Sequence, residues 1–152
     1  MNQEPLTIPG VRVCRQNSMQ MLRQIVEMTG PNSQVTIFSY SVTDGWLRQL
    51  LKLRADFNIS HITLVLDRDV MIRHREKLMQ IQHVADEAYL TDSHAKLYLS
   101  RGKELTLAVI TSANATNNYR NECYYGTDRP AELEQITRDI RTILEASDRI
   151  VP

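Results

Sequence analysis

The run Ile62-Thr63-Leu64-Val65-Leu66, closed by Asp67, constrains the fold more than any other stretch of the chain. A half-exposed strand alternates apolar and polar residues; a near-continuous apolar run needs cover on both faces, as an interior strand of a parallel sheet has. Parallel neighbours are joined by crossovers, usually helices, so the flanking sequence should read strand, helix, strand. It does. Residues 34–42 are rich in β-branched and aromatic types and predict a strand. Thr43-Asp44 then caps a helix carrying Trp46, Leu47, Leu50, Leu51 and Phe57, the aromatic pair on its core stripe. Further upstream, Met19, Leu22, Ile25 and Val26 recur at helical spacing from Ser18 as N-cap to Gly30-Pro31, after an irregular lead-in over 1–10 and a short edge strand over 11–14. Downstream, a helix over 68–84 places Val70, His74, Leu78 and Ile81 on one stripe.

The second half changes character. A short strand over 88–90 precedes two longer runs, 93–100 and 105–111, joined by a turn at Arg101-Gly102-Lys103, which reads as an antiparallel hairpin. Another strand covers 122–125, and Asp128 caps a last helix whose stripe is Leu133, Ile136, Ile140, Ile143 and Leu144. The fold class is therefore α/β, with a mixed sheet between helices, parallel in its first half and antiparallel at the hairpin.

With 152 residues, 42% of them hydrophobic, the chain is sized for a single domain over 1–152. Its 18 basic and 18 acidic residues cancel, so a polyanion must be met by a local patch rather than by bulk charge. No run approaches the roughly 18 apolar residues of a membrane helix, and Met1-Asn2-Gln3-Glu4-Pro5 lacks the features of a signal peptide, so no membrane association and a cytoplasmic location are expected. Cys14 and Cys123 fit no metal spacing and read as buried reduced thiols; His61, His74 and His83 are likewise not spaced as zinc ligands and read as structural. No metal and no cofactor are expected.

The chemistry concentrates at 93–100. Taken as a strand, this stretch sends Ala95, Leu97 and Leu99 to one face and His94, Lys96 and Tyr98 to the other, so that Tyr98 lines the cleft. Neutral imidazole is a competent nucleophile near pH 7, and a lysine beside it supplies positive charge for phosphate oxygens. The hairpin return delivers Ser112 and Asn114 to the same place, Asn114 as a phosphate-facing amide or, on the plainer reading, both as turn formers. Glu122 either orients His94 through its second ring nitrogen or is an ordinary strand-edge carboxylate. Arg120 contacts phosphate or sits in solvent. Arg101 and Lys103, and the run Arg68, Arg73, Arg75 and Lys77, are solvated faces or a phosphate path.

His94-Ala95-Lys96, then Ser112-Ala113-Asn114, then an acidic Glu122 resemble the phospholipase D superfamily, whose signature is H-x-K-x4-D followed by G-S-x-N. The resemblance is close over the C-terminal half and confined to the strand and helix pattern before it. It implies a phospholipase D-like domain and metal-independent phosphodiester cleavage in two steps, one histidine attacking phosphorus and a second protonating the leaving oxygen. Only one H-x-K occurs in this chain, so the resemblance further implies a homodimer that brings two copies of His94 and Lys96 together. The substrate expected is nucleic acid, DNA foremost, which makes the activity that of an endonuclease. Two positions depart from the signature: Arg101 stands where the aspartate falls, and Thr111 where the glycine falls. The first keeps a second reading open, a catalytically degenerate domain that binds DNA or a protein partner.

Overall fold

The computed structural model describes residues 6–151; the start of the irregular lead-in lies outside them. One eight-stranded sheet runs through the described residues in the order β1-β7-β6-β5-β2-β3-β4-β8. Its strands are β1 (Gly10–Arg15), β2 (Gln34–Ser39), β3 (His61–Asp67), β4 (Glu87–Thr91), β5 (Leu97–Arg101), β6 (Thr106–Thr111), β7 (Asn121–Thr127) and β8 (Asp148–Val151). β2, β3 and β4 pair in parallel, and every other pairing is antiparallel. The sheet is mixed α/β in the manner the sequence requires, with β3 interior and Ile62 to Asp67 all buried.

Helix α1 (Ser18–Thr29) starts at Ser18 itself, so its cap lies one residue before the expected one. Asn17 is the N-cap, closing a capping box in which Gln20 N–H donates to Asn17 Oδ1 at 2.9 Å and Asn17 N–H to Gln20 Oε1 at 3.1 Å. That leaves the Ser18 hydroxyl free for the interior. Helix α2 (Asp44–Phe57) is capped by Thr43 as read, and Trp46, Leu47, Leu50 and Leu53 are all fully buried. These helices cover one sheet face, where Met21, Leu22, Ile25 and Trp46 pack with Ile37, Leu64, Tyr98 and Val109. Burying each such side chain contributes about 1.5–3 kcal/mol.

The opposite face carries Phe38, Val65, Leu99 and Ala108, all buried, and helix α5 (Pro130–Glu145) lies over it. Arg101 on this face donates to Thr137 Oγ1 at 2.5 Å, and Leu99 shares a cleft of about 400 Å³ with Ile140 and Leu144. The stripe expected for α5 is present but only half-buried; no residue of the helix is fully enclosed. Its N-cap is Arg129 rather than Asp128, with Pro130 at the first helical position, where a missing N–H costs nothing. Beyond α5 the same face exposes Val11, Val13 and Ile110.

Three further local readings are corrected. The helix over 68–84 is broken into α3 (Arg68–Arg73), a 3-10 turn (Arg75–Lys77) and α4 (Leu78–Val84), because His74 leaves helical geometry at φ −130 and ψ 51. Lys77 at the break donates its ammonium to the Val42 carbonyl at 2.6 Å. The strand over 34–42 ends at Ser39; Val42 makes only an isolated bridge to Ala115. Cys123 is exposed and Cys14 half-buried, both as free thiols. Among the described residues no helix is long and apolar enough to cross a membrane.

Candidate active site

In an α/β sheet the loops at the carboxyl ends of the parallel strands are where ligands are met. At that edge β2 ends in Ser39, β3 in Asp67 and β4 in Thr91, while β6 ends in Thr111 and β5 and β7 begin. His94, Lys96, Ser112, Asn114 and Glu122 all lie along it.

His94 and Lys96 precede β5 rather than belonging to it: the strand starts at Leu97. The reason is local. Ser93 Oγ accepts the Ala95 N–H at 3.0 Å, a two-residue turn that holds the backbone away from a ladder. The loop is anchored from both sides. Asp67, buried at the end of β3, caps α3 through Oδ1, accepting from Asp69 N–H at 3.0 Å and Val70 N–H at 3.3 Å, and with Oδ2 accepts the Ser93 N–H at 3.2 Å. On the far side Thr111 N–H donates to the Lys96 carbonyl at 3.1 Å. Lys96 Nζ folds back to the His94 carbonyl at 3.1 Å, so the imidazole and the ammonium share one short, exposed loop. The imidazole itself rests against the ring of Tyr40, with centroids 4.5 Å apart and planes inclined at 40°.

Asn114 is tied to the same spot by its side-chain oxygen. Oδ1 accepts from Tyr40 N–H at 3.1 Å and, more weakly, Ser41 N–H at 3.4 Å, and lies 3.2 Å from Ser39 Oγ, whose proton goes to the Ser41 carbonyl at 2.5 Å. Its main-chain carbonyl accepts from Ser18 Oγ at 2.8 Å, and Ser18 in turn accepts the indole N–H of buried Trp46 at 3.0 Å. With the oxygen fully engaged, the orientation of the amide is fixed and its NH2 group is turned away from the Ser39–Ser41 backbone. Through Tyr40, whose ring meets the imidazole of His94, this amide is linked to the His94 loop. Ser112 Oγ donates to the Glu122 carboxylate and accepts the Cys123 N–H at 3.0 Å. Glu122 is thus engaged with Ser112, and among the described residues no hydrogen bond or ion pair joins it to His94.

The other residues singled out in the sequence lie elsewhere. Tyr98 is fully buried, its ring 6.3 Å from that of Trp46, and burial pushes its phenol well above the usual pKa. It lines no cleft. The expected alternation does not bring Tyr98 to the side of His94, because 94–96 precede the strand and β5 is an interior strand covered on both faces. Arg101 and Lys103 sit at the opposite edge: Arg101 pairs with Gln34, the first residue of β2, whereas Leu97 pairs with Phe38 near its end. Five residues of strand put Arg101 about 17 Å from Lys96, where it and Lys103 line a cleft of about 850 Å³ with Met28, Pro31 and Leu105. Arg120 is exposed in the loop entering β7, at the site edge. Of the basic run, Arg68 binds Asp148 and lies 3.5 Å from Asp92, and Arg73 Nε donates to the Asp69 carbonyl at 3.2 Å. His61 is a structural contact at the far edge, its Nε2 2.7 Å from Glu87 Oε2.

Two residues that hold the site were not picked out from sequence. Tyr40 falls inside the strand read over 34–42, which ends at Ser39, although a polar Ser-Tyr-Ser directly after the apolar run of a parallel strand marks a place where such sites form. Asp67 reads from the sequence only as the end of a strand.

No family model and no curated protein matches the sequence. Solved structures do match its fold. Nuc from Salmonella typhimurium, a phospholipase D family member, superposes with a TM-score of 0.66 at 10% identity, covering 94% of this chain and 99% of that one. TrmBL2, an archaeal chromatin protein with a novel mode of DNA binding, gives 0.58 at 12% identity over 93% of this chain and 54% of its own. Polyphosphate kinase from Porphyromonas gingivalis gives 0.59 at 14% identity over 90% of this chain and 22% of its own. The eight-stranded mixed sheet, with the His94 loop at the carboxyl edge of its parallel strands, is a phospholipase D-like fold.

Proposed function

We propose that the chain is a metal-independent phosphodiesterase, an endonuclease on nucleic acid with DNA as the foremost substrate, working through a phosphohistidine. The observation that carries this reading is the Asn114 amide held through its oxygen by the backbone N–H of Tyr40, the residue whose ring lies against His94, which leaves the amide N–H groups for a phosphate. A nucleophile, an ammonium and an oriented pair of donors are what an in-line displacement at phosphorus needs.

In the first step an imidazole nitrogen of His94 bonds to phosphorus as the bond to the leaving nucleoside oxygen breaks. Lys96 and Asn114 hold the nonbridging oxygens, and Ser112, steadied by Glu122, supports them. The leaving oxygen takes its proton from the partner subunit's His94. In the second step water attacks phosphorus, gives its proton to that same partner imidazole, and the nitrogen–phosphorus bond breaks. One H-x-K per chain makes a homodimer the economical source of the second histidine, with the two-fold axis through the site. The single-domain organisation over 1–152 and a cytoplasmic location go with this reading. Likeness to Nuc, a phospholipase D family member, supports it at the level of fold.

His94→Ala should abolish hydrolysis of a chromogenic phosphodiester in the presence of chelator while leaving the circular dichroism spectrum unchanged; a requirement for added metal would overturn the mechanism. Light scattering through a dilution series tests the shared site, which a stable monomer of full specific activity would refute. A second reading, DNA or protein binding without turnover, is favoured by Arg101 at the signature's aspartate position and by the likeness to TrmBL2, which binds DNA. DNA retention on a filter, with no cleavage and no effect of His94→Ala, would select it.

A further inference from the structure

The imidazole of His94 makes no hydrogen bond to another side chain among the described residues, yet an attacking group must be held close to its in-line trajectory to benefit from proximity. The group that touches it is the ring of Tyr40, 4.5 Å away between centroids. Tyr40 is itself well fixed. It follows directly from β2, its N–H donates to Asn114 Oδ1 at 3.1 Å, and the preceding Ser39 Oγ accepts the Ala115 N–H at 2.8 Å and bonds the Ser41 carbonyl at 2.5 Å. The ring is half-buried, which limits its rotamers.

We infer that Tyr40 is the positioning residue of this site: its ring face sets the orientation of His94, and its backbone N–H ties that orientation to the Asn114 amide. The inference rests on His94 being the nucleophile proposed above. Through Tyr40 the attacking ring and the oxygen-holding amide keep one fixed geometry, although they come from separate loops, one before β5 and one after β6. A tilted aromatic contact suits this task because it is directional yet leaves both imidazole nitrogens unblocked, one of which must reach phosphorus. A hydrogen-bonding residue in its place would occupy one of them.

Three variants test the idea, Tyr40→Ala, Tyr40→Leu and Tyr40→Phe. The leucine keeps the buried bulk without an aromatic face, so it guards against a loss caused by collapse of the loop; the phenylalanine keeps the face without the hydroxyl. The expected result is that kcat falls about tenfold in the alanine and leucine variants with KM changed by less than about twofold, and that phenylalanine restores it. The His94 ring-proton resonances supply a readout independent of turnover: displaced by the Tyr40 ring current in the wild type and in Tyr40→Phe, and returned toward exposed-histidine positions in the other two. Unmoved resonances in Tyr40→Ala overturn the inference even if activity is lost, and so does a phenylalanine variant as slow as the alanine one. If the wild type cleaves no phosphodiester, the reading of function fails, while the resonances still decide whether Tyr40 orients His94.

Discussion

Replacing Asn114 separates what holds the site from what acts in it. In Asn114→Ala the N–H groups of Tyr40 and Ser41 lose their shared acceptor, while the Ser39 hydroxyl keeps the Ser41 carbonyl. An orphaned buried donor costs about 1–3 kcal/mol, and this loop is only partly enclosed, so water relieves some of the penalty; about 2 kcal/mol of lost stability is expected. With a urea m-value of about 2 kcal/mol/M, the unfolding midpoint falls by about 1 M. Asn114→Asp keeps an oxygen where Oδ1 stands, and its charge strengthens the two N–H contacts, so the midpoint should stay within about 0.5 M of wild type. The other half of the side chain changes completely: two donors become an anionic acceptor facing the phosphate. Loss of one such donor lowers turnover by about 100- to 1,000-fold, and repulsion adds to that. The assay pairs urea unfolding followed by circular dichroism with hydrolysis of a chromogenic phosphodiester. A stable Asn114→Asp variant keeping more than a tenth of the activity would refute the donor role, and an Asn114→Ala variant as stable as wild type would refute the anchoring role.

Three further outcomes follow from the rest of the fold. Tyr98→Phe should be neutral or stabilising by about 1 kcal/mol with activity unchanged, because the buried hydroxyl has no well-formed bond and Ser18 beside it is already committed to the Asn114 carbonyl; a marked loss of activity would return Tyr98 to the site. Gly102→Ala places a methyl group 2.1 Å from the Thr29 carbonyl oxygen and 3.0 Å from that of Leu105, so thermal unfolding should show a loss of at least about 2 kcal/mol, with per-molecule activity retained because the turn lies at the far edge. The His61 hydrogen bond, opposed by burial and reinforced by Tyr89 and Arg149, holds the Glu87 carboxyl below its usual range. A depressed carboxyl stabilises the fold above its unfolded pKa of about 4.3 and loses that contribution as pH falls through the folded value. Glu87→Gln should therefore flatten the loss of stability below about pH 4.3, measured as urea midpoints from pH 7 to pH 3; parallel profiles would contradict this.

Local signals were legible wherever a single element carried its own boundary. The Ile62–Leu66 run announced an interior parallel strand because nothing but two-sided cover tolerates it, and Gly30-Pro31 and Thr43 marked helix ends by backbone chemistry. The motif order placed His94, Lys96, Ser112 and Asn114 at one edge. What escaped was decided between distant segments. β8 is four residues with only Ile150 and Val151 turned inward, a strand because β4 offers it an edge. The break at His74 comes with a lysine reaching a carbonyl in a different loop, and the half-burial of α5 depends on how it sits over the sheet. Tyr40 meets His94 only through the order of the strands, and Tyr98 is enclosed because β5 lies inside the sheet with cover on both faces, which alternation within one strand does not reveal.

The claim on which the account stands is that His94 attacks phosphorus. Rapid acid-free quenching of the wild type during turnover of a radiolabelled phosphodiester, followed by peptide mapping, should recover an acid-labile phosphate on His94, absent from His94→Ala. Multiple turnovers with no label on any histidine, or label retained in the variant, would contradict it.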